Sequence, residues 1–142
     1  MSLSLYECSI PVFIHSLSNL NDLLEAGAQY GAEHGIEDEV LTGARLFPNM
    51  LPLTKQVQIA CDIAKRGSAR MASIEPPTDE DTETTFDQLK ARIDKTKQFL
   101  AGIQAEAING TEDNSITMQA GPNVYTFTTR DYLNSWAVPN LY

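Results

Sequence analysis

The chain has 142 residues, of which 42% are hydrophobic and 20% charged, and a formal net charge of -9. That is one domain's length with enough apolar content for a core, which excludes a globally disordered chain. The acidic balance argues against nucleic acid and anionic membrane surfaces as partners, and no apolar run approaches the roughly 20 residues that cross a bilayer.

Met1–Glu7 lacks the basic start and continuous apolar core of a secretory signal, so it reads as the first turn of a helix in a cytoplasmic protein. Tyr6, Ile10, Phe13, Leu17, Leu20 and Leu24 recur at steps of four and three, which places them on one helical face. The first helix is expected over Ser4–Glu33 and stops at Gly35. Pro11 either kinks it or sits near its true start after Ser9. A short turn follows over Asp38–Thr42, with Asp38 as its cap. Ala44–Leu53 is apolar and broken by Pro48 and Pro52, and is expected as an ordered loop packed on the bundle.

The second helix runs from Pro52 or Thr54 to Ser73. One row is Val57, Cys61, Ala64, Ser68 and Met71; a second is Ile59, Ala60, Ile63 and Gly67. This wide surface of small side chains makes it the helix expected to be most buried. Glu75–Asp81 is a loop, because two prolines forbid helix and the acidic run favours solvent. The third helix starts at Thr84 or Thr85 and ends near Gly102, with Thr84 and Asp87 as a capping box. Phe86, Leu89, Ile93, Leu100 and Ile103 form its stripe, opposite Asp87, Lys90, Asp94 and Lys97.

The period then changes to two. Ser115–Gln119 and Val124–Phe127 alternate around Ala120–Asn123, the pattern of a β-hairpin. A fourth helix begins after Thr128, capped with Asp131, and carries Tyr132, Leu133 and Trp136; Pro139 should bend it. Residues 1–142 thus read as a single, mostly α helical-bundle domain with a small hairpin before its last helix. Asn140–Tyr142 carry no stop signal, so that helix reads as cut short, leaving apolar surface for a homodimer to cover.

The chemistry in these residues is sparse. His15 lies two residues from Phe13 and Leu17, roughly 200° around the axis, and so faces solvent, while His34 suits the negative end of the helix dipole. No HExxH, HxxxH, CxxC, GxSxG or phosphate-loop pattern occurs, so neither a metal nor another cofactor is expected, and no catalytic residue is assigned. Cys61, set among alanines, reads as a buried, inert thiol. Lys65, Arg66 and Arg70 read as a solvated helix face.

The candidate ligand-binding residues are polar or aromatic groups beside apolar rows: Arg45, Gln56, Asp62, Glu83, Tyr132 and Trp136. Gln56 shares a row with Ala60, Ile63 and Gly67 and is expected to point inward. Tyr132 and Trp136 wall a pocket. Two readings of Arg45 stand. In one it pairs with Asp62 or Glu83 and pins the loop; in the other it holds a small anion with Gln56.

The blocks Ser2–Tyr6 through Ile10–Phe13, Ala44–Leu46 with Pro48–Met50, Leu53–Thr54 with Gln56–Ala60, Glu75–Pro77 into Asp81–Phe86, Tyr125–Phe127, Tyr132–Leu133 and Pro139–Asn140 fall in the order of a known family. The chain resembles, over essentially its whole length, an uncharacterised bacterial and fungal family of helical bundles near the DinB/YfiT-like putative metalloenzyme superfamily. The resemblance implies a four-helix bundle with up-down-down-up connectivity, often dimeric. In the wider superfamily it implies a divalent metal on three histidines and transfer or isomerisation of small thiol adducts. This sequence departs from the pattern in two places. The family continues past Tyr142 with the rest of the last helix and a histidine, and Asn49 stands where it tends to have aspartate. A thiol-adduct or secondary-metabolite enzyme and a non-catalytic small-ligand binder are therefore the two functional alternatives to an uncharacterised bundle.

Overall fold

The computed structural model describes residues 2–142. The elements in order are α1 (Ile10–His34), α2 (Asp38–Thr42), α3 (Leu53–Ala72), α4 (Phe86–Ala101), α5 (Ala105–Ile108), β1 (Ser115–Ala120), β2 (Asn123–Thr128), α6 (Thr129–Tyr132), a π-helical turn (Leu133–Ala137) and α7 (Val138–Leu141). The last three follow one another without a break and form the last helix.

α1 starts later than Ser4. Pro11 falls in its first turn, where a missing N–H costs nothing, so of the two readings of Pro11 the start after Ser9 holds and there is no kink. Gly35 ends the helix in the left-handed region at φ 65°, as expected. Asp38 does not cap α2, whose cap position is Glu37. Its carboxylate instead accepts the Phe86 N–H at 3.1 Å, at the start of α4. The α4 capping box is one residue later than expected: Thr85 accepts from Gln88 N–H at 3.2 Å, and the Gln88 side chain reaches back to Thr85 N–H. At Thr128 the expected cap forms, accepting from Asp131 N–H at 3.2 Å.

The core is the set of apolar stripes read from the sequence: Ile10, Phe13, Leu17 and Leu24 of α1, Val57, Cys61, Ala64 and Met71 of α3, and Phe86, Leu89, Ile93 and Leu100 of α4, all buried. Contacts along the helices fix their directions. Gly27, late in α1, lies against Phe86 at the start of α4. Thr42 donates to Thr84 O at 2.8 Å and Thr54 donates to Thr42 O at 3.0 Å, so α3 and α4 start at one end of the bundle. Tyr132 lies beside Gly67, and the Tyr142 hydroxyl meets Ser16 at 2.8 Å, so the last helix runs against α3 and along α1. The order is up-down-down-up. No helix among the described residues is long and apolar enough to cross a membrane.

Two loops differ from expectation. The 44–53 loop closes on itself through Leu53 N–H to Ala44 O at 3.0 Å, but leaves Leu46 and Phe47 92% and 62% exposed. The acidic loop stays largely exposed but is pinned to α3 and α4 through Asp79 and Asp81, because Lys65 and Arg92 are buried there and need counter-charges.

Candidate functional site

Three elements enclose a cleft of about 240 Å³ on one side of α3. α3 contributes Ile59, Asp62, Ile63, Arg66 and Arg70, which recur at steps of three and four and so share a face. β1 contributes Met118 and Gln119, and the last helix contributes Tyr132 and Trp136, one turn apart. The row Ile59, Ile63 is therefore this cleft's floor; Ile59 remains 38% exposed.

Local chemistry fixes each wall. Gly67 permits the last helix to approach closely, since a Cβ there would stand 3.3 Å from Tyr132 Oη. The hairpin register pairs Met118 with Tyr125 and Ile116 with Phe127, which puts these four side chains on one face. Phe127 meets Tyr132 edge-on at 6.0 Å, and Trp136 packs tilted on Tyr125 and Phe127 at 5.5 and 6.1 Å. Pro139 has no N–H to return to the carbonyl of residue 135, and its ring crowds that carbonyl. The wide turn just before it resolves the conflict: Val138 N–H reaches Leu133 O. The expected bend thus takes the form of a π turn, and Trp136 lies in it. Such turns recur at functional sites.

The charges in the cleft are unequally engaged. Arg70 donates to Tyr132 Oη at 3.0 Å and lies 5.9 Å over the ring. Arg66 has only Asp62 at 3.7 Å, and its side chain is 55% exposed. Asp62 is shared, with Arg92 at 3.2 Å and Lys65 at 3.6 Å. The basic cluster is thus not a uniformly solvated face: Lys65 is buried, Arg70 is half-buried and only Arg66 is open.

Behind α3 the second polar region is densely ion-paired, although Arg92 Nε and Gln58 Oε1 are buried there without a partner. Arg92 donates to Asp81 at 2.9 Å, Glu83 at 3.0 Å and the Glu80 carbonyl at 3.1 Å. Lys65 meets Asp79 at 2.7 Å, Lys95 closes on the same carboxylate, and Gln58 donates to Glu83 at 2.9 Å. Burial alone would raise the pKa of Asp79 and Glu83, but the cations hold both below the ordinary carboxylate range. Asp81 is also lowered, first by the Lys55 hydrogen bond and then by Arg92. For Arg92, burial opposes the charge and the carboxylates outweigh it, so its pKa is raised.

The six predicted site residues therefore separate. Asp62, Tyr132 and Trp136 meet in the cleft. Glu83 belongs to the ion-paired loop. Arg45 and Gln56 line a third, apolar cavity of about 420 Å³ with Leu46, Met50 and Leu51. Arg45 does not pair with Asp62 or Glu83; it donates weakly to Pro48 O at 3.4 Å, and the buried partner of those acids is Arg92. Gln56 does not point inward: it is exposed and donates to Leu51 O at 3.3 Å, while Gln58 is the buried glutamine. Arg66, Arg70 and Arg92 were missed as site or network residues. Arg92 had a signal in the sequence, being three residues from Leu89 and four from Thr96 on the inner face of α4.

The residues present do not fit a three-histidine metal centre. His15 and His34 lie about 28 Å apart along α1 at the helical rise. His15 is within 3.4 Å of Asn19 and His34 stacks on Tyr30. No group of three metal-ligating side chains converges among the described residues. Cys61 is buried, and desolvation pushes its thiol up to about 11, so it is no nucleophile at neutral pH.

Comparison with known proteins places this geometry. The family model described as a domain of unknown function, DUF1993, matches residues 5–142. Among solved structures the chain is similar to a DinB family member protein from Shewanella denitrificans. The two are 29% identical with a TM-score of 0.86 over 97% of this chain and 78% of that one. No curated protein matches. Fold, connectivity and family model agree, and the chain belongs to the DUF1993 family of DinB-like helical bundles.

Proposed function

We propose that this DinB-like bundle, read as a single domain, is a cytoplasmic, homodimeric binder of a small molecule, and that the cleft between α3, the hairpin and the last helix is its site. One observation carries the reading. An under-engaged guanidinium, Arg66, lines the same cavity as an indole set on a π turn, in a chain whose other inward-facing cations are paired. Binding is favoured over catalysis by the remaining polar groups of the cleft: a shared carboxylate, Asp62, and a phenol already engaged by Arg70.

Trp136 is the sole tryptophan of the chain, so its emission reports on the cleft directly. Titration of the purified protein with a mixture of small metabolites should give a saturable change in that emission. The change should weaken about tenfold in Arg66→Gln, which leaves the indole in place as reporter. An unchanged response in that variant would place the ligand elsewhere. The homodimer is supported by Leu46, Phe47, Met50 and Leu51, which stand exposed beside a cavity lined by no acidic residue. Light scattering should give twice the chain mass, and a monomer at high concentration would end that part of the reading.

A further inference from the structure

We infer that the cleft selects a flat, apolar monocarboxylate, with Arg66 as the residue that captures the carboxylate. The inference rests on the cleft being a binding site and adds the class of ligand. Three observations converge on it.

The first is the free donor set. Arg70 is committed to Tyr132 by a hydrogen bond and by its position over the ring. Arg66 is held only by Asp62 at 3.7 Å, longer than a normal hydrogen bond, so its planar fork is open to a bidentate acceptor. A carboxylate matches that fork in shape and charge.

The second is the charge the cleft tolerates. Asp62 lies in the same wall, with one oxygen turned to Arg92 and Lys65 and the other to Arg66. Asp62 stays in place and repels any anion brought to Arg66, a doubly charged one such as phosphate about twice as strongly as a single carboxylate. These groups run from the middle of α3 to its last turn, so the N-terminus of that helix adds no donors for a phosphate.

The third is the body of the site. Ile59, Ile63, Met118 and Trp136 form the rest of the lining with one polar side chain, Gln119, and Tyr125 and Phe127 back the indole. A cavity of about 240 Å³ with this lining holds a ring-sized apolar group against an aromatic wall.

The test uses the full chain, Trp136 emission confirmed by calorimetry, and three probes: benzoate, its neutral analogue benzamide, and inorganic phosphate. Benzoate should saturate the signal, benzamide should bind about tenfold more weakly, and phosphate should bind weakest. Arg66→Gln should lower benzoate affinity about tenfold and erase the preference over benzamide without changing the thermal unfolding midpoint, because Arg66 is outside the core. Arg66→Lys should restore part of the affinity, charge without fork. Equal binding of benzoate and benzamide would overturn the ligand class and leave the site standing. Tightest binding by phosphate would overturn it too. Absence of a saturable response to all three in both measurements would remove the site and the inference together.

Discussion

On the two sides of α3, similar cations meet opposite fates. Toward α4 and the acidic loop, Lys65 and Arg92 are buried, and carboxylates close on each of them. Toward the hairpin and the last helix, Arg66 and Arg70 face a cavity, and one of the two guanidiniums remains open. The difference lies in what the neighbouring segment brings. Residues 79–83 deliver three carboxylates to the first side; the hairpin and π turn deliver aromatic rings to the second. Cations that meet carboxylates become structure. A cation that meets rings and a void is left able to bind something else.

Breaking the ion-paired side should have the largest effect. Arg92→Met leaves Asp62 and Glu83 without their main partner in a buried setting, and urea unfolding should show a loss of about 3–5 kcal/mol. Acid should open the same region. The Asp79, Asp81 and Glu83 carboxyls have folded pKa values below their ordinary ones. Their contribution is therefore complete above the unfolded values, about 4, and is lost as pH falls through the lowered folded values. The denaturation midpoint should drop across that acid window, with a shallower drop in Arg92→Met; equal slopes in the two proteins would detach the acid sensitivity from the loop.

On the open side the effects are smaller. Tyr132→Phe removes the acceptor of Arg70 and should cost about 1 kcal/mol in the same unfolding experiment, with benzoate affinity weakened as Arg70 loosens. The smallest change should be Arg45→Met, within about 0.5 kcal/mol of the parent, since Arg45 is exposed and touches only a neighbouring carbonyl. A loss of several kcal/mol there would mean that the 44–53 loop is pinned after all.

Most of the fold was legible because it rests on spacing. The stripes of α1, α3 and α4, the Gly35 stop, the hairpin and the Thr128 cap depend on local period and turn chemistry, which the chain displays residue by residue. The candidate cleft was legible only in part. Asp62, Tyr132 and Trp136, singled out because they flank apolar rows, line one cleft, and of the basic cluster read as a solvated face only Arg66 is open while Lys65 is buried. Periodicity assigns a side to a helix without saying what stands opposite, and the hairpin that lines the same cleft as Arg66 is about fifty residues away in the chain. Arg45 misled for a related reason. An arginine in an apolar loop invites an ion pair, yet the acids it was assigned were claimed by Arg92, whose position inside the α4 stripe was the better clue. The prolines in the acidic loop did forbid helix, and most of the run stands in water as expected; Asp79, whose side chain is buried against Lys65, is the exception that the acidity alone did not reveal.

The five residues of α2 have a consequence for how the chain assembles. Through Asp38 and Thr42 this segment holds the first turn of α4, while Thr54, at the start of α3, bonds back to Thr42. The fastening at Phe86 thus spans 48 positions of sequence. Such distant closure is slow compared with local coiling. α4 is thus registered against the α1–α2 corner by contacts that its own local coiling cannot supply.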